Sequence, residues 1–100
     1  MYRNKRLLDS ARGQDCQLQI PGICNGNSET TVAAHSNRLI HDKGLGIKAH
    51  DCFIVWACSS CHTAIDQSGK LSQQEKIDYW NVGFQRTILK MFLQGIIVTR

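Results

Sequence analysis

Two thiols at Cys-x-x-Cys spacing, Cys58 and Cys61, are followed at once by His62, with Asp66 four residues further on. The thiol pair is half of a tetrahedral zinc site, and Cys16 and Cys24 can supply the other half. Four cysteine ligands leave no open coordination position, so such a zinc is structural and closed to chemistry. His62 and Asp66 are not needed by it. On a helix, residues four apart share one face, so this imidazole and carboxylate point to a second task beside the zinc.

The other cysteine is Cys52. An odd count of five, no signal-peptide pattern and one Cys-x-x-Cys pair read as metal ligands plus a spare in a reducing compartment. Cys52 opens the apolar run 52–57 and is expected to be a small buried hydrophobe. A thiol redox protein would need the pair free of metal and a thioredoxin-like βαβ context, which the pattern lacks. The basic start, Arg3, Lys5 and Arg6, precedes no apolar core, and no apolar run approaches the ~18 to 20 residues of a membrane span. The expectation is a cytoplasmic protein with no membrane partner.

The formal charge is +4. Four thiolates around one zinc would halve that excess, so the total says little about nucleic acid. The distribution says more. Arg3, Lys5, Arg6 and Arg12 face one acid, Asp9, and Arg38, Lys43 and Lys48 fall between the two halves of the zinc site. These cations read as phosphate contacts or as solvated surface.

One hundred residues suit one small domain, residues 1–100, for which a metal staple is plausible physics. Residues 3–12 pattern as a short amphipathic helix ending at Gly13. Residues 17–20 alternate like a strand, and Pro21-Gly22 turns Cys24 back toward Cys16. Residues 30–35 form a β-leaning segment ending in His35. Residues 36–51 are a loop, 52–57 the second strand of a hairpin, and about 61–67 a short helix. Ser72 and Glu75 form a capping box that opens a long helix to about Gln94. Ile77, Trp80, Phe84, Ile88 and Phe92 recur along it as one apolar stripe, packing on the core or, alternatively, pairing a homodimer. Gly95 ends the helix, and residues 96–98 can add a short strand.

Strand, loop, strand, helix around a cation is the ββα-metal arrangement, and the chain resembles a zinc-stapled HNH endonuclease. More narrowly, residues 34–37, 43–51 and 57–66, with 11–16 and 21–26, resemble the YbcO-like nuclease family of phages and prophages. The resemblance implies a small α+β, HNH-like core between a short N-terminal and a long C-terminal helix. It implies hydrolysis of DNA phosphodiester bonds, in duplex or branched DNA such as recombination intermediates. His35 would stand where these enzymes hold the general base, His62 where they hold a metal ligand, and Asp66 at the place of the last histidine. A neutral imidazole suits proton abstraction near pH 7, and imidazole plus carboxylate suits a second divalent cation, Mg, Mn or Zn. Ala34 and Phe53 stand where many HNH enzymes hold a metal ligand and a base-orienting asparagine. Asp51 or Asn37 would take over those functions, and His50 or His41 would reach the metal. Asn37, Arg38, Lys43 and Lys48 would contact nucleic acid. The competing function is a non-catalytic zinc module that binds nucleic acid or a protein partner.

Overall fold

Asn4 is extended, and its side chain accepts the Leu7 amide to cap helix α1 (Lys5–Asp9). The computed structural model describes residues 2–37, 50–67 and 69–98, so Arg38, His41, Lys43 and Lys48 lie outside the described residues. The helix is shorter than the 3–12 reading. At its start, Asn4 acts as cap instead of helical residue. At its end, residues 10–12 relax into turns before Gly13 at φ +75°.

Residues 17–20 do not form the expected strand. Leu18 and Ile20 are buried as the alternation requires, but Gln19 adopts φ +50°, a left-handed conformation foreign to regular strands. The Ile23 and Cys24 amides both donate to the Ile20 carbonyl, closing the turn that returns Cys24 to Cys16.

Strands β1 (Val32–His35) and β2 (Ile54–Ala57) pair antiparallel, with Val32 opposite Ala57 and His35 opposite Ile54. Both are shorter than expected. Asn27 caps a 3-10 turn over Ser28–Thr30 that delays β1. The Phe53 amide donates to the His50 carbonyl in a turn that delays β2 and leaves Cys52 exposed, not buried.

β2 is buried on both faces. Ile54 and Trp56 meet Leu7, Ala11 and Met91, while Val55 and Ala57 meet Leu18, Ile20, Ala34 and the buried cysteines. Its outer edge is closed without a third strand. The Trp56 amide donates to Thr87 Oγ1 at 3.1 Å, and its carbonyl accepts the Gln17 amide at 2.7 Å.

Helix α2 (Ser59–Asp66) starts two residues before the expected Cys61. Cys58 is its cap, with Sγ accepting the Cys61 amide at 3.4 Å. Helix α3 (Gln73–Leu93) carries the capping box of Ser72 and Glu75. The stripe read from its large apolar residues is offset from the face that packs. Trp80 is buried, but Ile77, Phe84 and Ile88 are half-buried and Phe92 is 46% exposed. The buried line is Trp80, Gly83, Thr87 and Met91. Gly83 sets it, because a Cβ there would come within 2.9 Å of both Leu18 and Val55. After Gly95 the Ile96 and Ile97 amides fold back onto the Met91 carbonyl, so residues 96–98 form no strand. The architecture is α+β, a two-stranded sheet between helices. Among the described residues no helix is long and apolar enough to cross a membrane.

Candidate metal centre and active site

Three separate stretches bring Cys16, Cys24, Cys58 and Cys61 together: the loop after α1, the turn after Pro21, and the start of α2. All four sulfurs lie within 4.8 Å of one another. Tetrahedral zinc–thiolate bonds of about 2.3 Å imply sulfur separations of about 3.8 Å, and Cys24 and Cys58 are 4.0 Å apart. These four residues are therefore positioned to bind one metal ion. Burial raises the Cys58 thiol, but amide hydrogen bonds from Asn25 and Cys61 outweigh it and bring the pKa down to about 7. Burial pushes Cys61 well up. Among the described residues this is the only convergent group of three or more His, Cys, Asp or Glu side chains.

The end of β1 carries the second arrangement. His35 Nε2 lies 2.9 Å from Asp51 Oδ1, and the Asp51 side chain is 3% exposed. Arg3 donates to the same oxygen at 3.1 Å, and the Asn4 amide to Oδ2 at 2.6 Å. Burial alone would raise the Asp51 carboxyl. The hydrogen bonds from His35, Asn4 and Arg3 prevail and hold it below the usual carboxylate range. An ionised carboxylate only accepts, so His35 Nε2 carries the proton and Nδ1 is the basic nitrogen of the neutral ring.

Two residues beyond His35, Asn37 donates to Asp66 Oδ1 at 2.6 Å. The other Asp66 oxygen lies 2.9 Å from His62 Nε2. The bond to Asp66 raises the His62 pKa, and burial opposes it. His35 and Asn37 are two residues apart, a span of at most about 7 Å, so one strand end touches both the His35–Asp51 and the His62–Asp66 pairs.

Asp51, expected from sequence either to orient the base or to serve the metal, contacts His35. Asn37 is on the second carboxylate. Phe53 packs on Phe84 and His50 instead of meeting His35 through a polar group. His50 Nδ1 accepts the Tyr2 amide at 2.8 Å. The contacts of Arg3 and Asn4 with Asp51 had no local signal, because they join residues 47 and 48 positions apart.

The family described as "Putative nuclease YbcO" matches residues 5–95. Over 61 residues, 61% of the chain, the sequence is 51% identical to a protein of Escherichia coli K12 that carries the same description. It is equally similar to one of Enterobacteria phage 82. Each match spans 62% of the relative's own length. A solved structure described as that of a "putative bacteriophage protein" from E. coli K-12 superposes with a TM-score of 0.71 at 35% identity, covering 88% of this chain and 98% of the other.

Proposed function

The chain belongs to the YbcO family, and on that premise we propose that it is an HNH-like, metal-dependent endonuclease hydrolysing DNA phosphodiester bonds. The observation that carries this reading is the end of β1, where an oriented imidazole and an imidazole–carboxylate pair meet. His35 Nδ1 takes the proton of a water whose oxygen attacks phosphorus, while Asp51 holds the ring and stabilises the imidazolium that forms. His62 and Asp66 would hold a divalent cation. Their imidazole and carboxylate, 2.9 Å apart, are donor types that suit a divalent cation. Such a cation, when bound, stabilises charge on the phosphorane and on the departing 3′ oxygen.

Zinc is the ion proposed for the four cysteines, whose donor set and separations fit it. The relative from phage 82 is described as a putative nuclease, and branched DNA of recombination is the setting proposed here. Chelator-treated protein, incubated with supercoiled, linear and branched DNA after restoring Mg or Mn, should nick or cut. One observation favours the second reading, a non-catalytic zinc module: Ala34 is buried where the HNH pattern holds a metal ligand, leaving two described side chains for the cation. Salt-sensitive DNA binding with no cleavage in any metal would select it.

A further inference from the structure

We propose that residues 2–4 complete the general-base site, with Arg3 a positioning residue that holds Asp51 against His35. The inference rests on His35 being the base. Residues 2–4 run against residues 50–51, and four hydrogen bonds join them. The Tyr2 amide donates to His50 Nδ1, and the Asp51 amide to the Tyr2 carbonyl. The Asn4 amide and Arg3 close on the two Asp51 oxygens. The family match begins at residue 5, so this segment lies outside it.

The chemistry explains what the segment does. A carboxylate this buried must be paired or lose its charge. Arg3 and His35 share Oδ1, so the guanidinium supplies a permanent positive partner and the imidazole can stay neutral. If Arg3 is removed, the imidazole is the remaining side chain that can pair with the buried anion among the described residues. That favours imidazolium, which cannot accept a proton from water. Asp9 and Arg12 line the groove beside His35 and His50 sits on the Tyr2 amide, so among the described residues the charges around the ring are Arg3, Asp51, Asp9 and Arg12, with His50 as a titratable neighbour.

The test compares full-length wild type with Arg3→Met and Arg3→Lys. Rate against pH, DNA affinity, zinc content and the imidazole nitrogen and proton signals of His35 are measured. Arg3→Met should move the acid limb up by about one pH unit, a loss of about tenfold in kcat well down that limb and of about threefold near pH 7. KM for DNA and zinc content should hold, and Arg3→Lys should recover much of the rate. The His35 ring should show a single protonated Nε2 in wild type and protonation of both nitrogens at a higher pH in Arg3→Met. An unmoved acid limb, or a loss confined to KM, would make Arg3 a structural or phosphate-contact residue and overturn the inference. Should wild type cleave nothing, the base reading fails. The ring signals are read without cleavage: a shift in His35 protonation upholds Arg3 as the group that holds Asp51 and keeps the imidazole neutral, and identical His35 spectra in wild type and Arg3→Met overturn that positioning role.

Discussion

His35 and His62 are both imidazoles beside a carboxylate, yet their substitutions should fail differently. If His35 is the general base, His35→Ala should keep DNA and metal binding and lose about 100- to 10,000-fold in rate. His62→Ala should weaken binding of the catalytic cation while leaving the zinc in place, because the cysteines are untouched. Asp66→Asn should resemble it more mildly. Titration with Mn, read by calorimetry and by rate, separates the two histidines. Asp51 also bears on stability. Its carboxyl lies below its ordinary value in the folded chain, so it stabilises the fold above about pH 4 and loses that effect as pH falls through the depressed value. Asp51→Asn should cost about 1 to 3 kcal/mol near pH 7, and the gap to wild type should close in acid. Denaturant melts across pH check this. The cysteine ligands were readable from their spacing because metal coordination restricts residue type and separation. His35, His62 and Asp66 took their roles from the family pattern. Asp51 stood in two roles in the sequence, and its contact with His35 joins residues 16 positions apart.

Among the elements, what was encoded locally was legible. The capping box of Ser72 and Glu75 and the turn at Pro21-Gly22 lie within a few residues of sequence. What depends on tertiary contact was not. The alternation of residues 17–20 records burial of Leu18 and Ile20, but the left-handed Gln19 diverts the backbone. The stripe on α3 was placed by counting large apolar side chains, whereas the helix approaches β2 through a glycine and a threonine. Gly83→Ala should therefore cost about 1 to 3 kcal/mol by overpacking, despite alanine's better helix propensity. Thermal melts of Gly83→Ala against an exposed control such as Gln85→Ala measure it; equal stability would mean that α3 does not press on Leu18 and Val55.

For the whole molecule, the metal and the fold are one problem. The cysteines tie the loop after α1, the turn after Pro21 and α2 into a single core with Leu18, Ile20 and Trp80. Structural zinc contributes about 10 to 16 kcal/mol in small modules, comparable to the stability of a whole domain. Cys58→Ser should lose zinc and cooperative folding together, measured by elemental analysis and circular dichroism on protein prepared without chelator. The basic residues belong to the same scale. If Arg38, Lys43, Lys48 and the N-terminal cations contact phosphates, DNA affinity should fall with salt, and each lost contact should lower the log–log slope by about 0.9.

The central claim is that the end of β1 holds a working hydrolytic site. The most direct measurement is the nicking rate on supercoiled and branched DNA, with Mg or Mn restored after chelation, for wild type, His35→Ala and His62→Ala side by side. The account predicts metal-dependent cleavage by wild type and loss in both variants, with zinc content unchanged in all three. Cleavage that survives both substitutions, or a wild-type protein that binds DNA and cuts none of it in any metal, would contradict it.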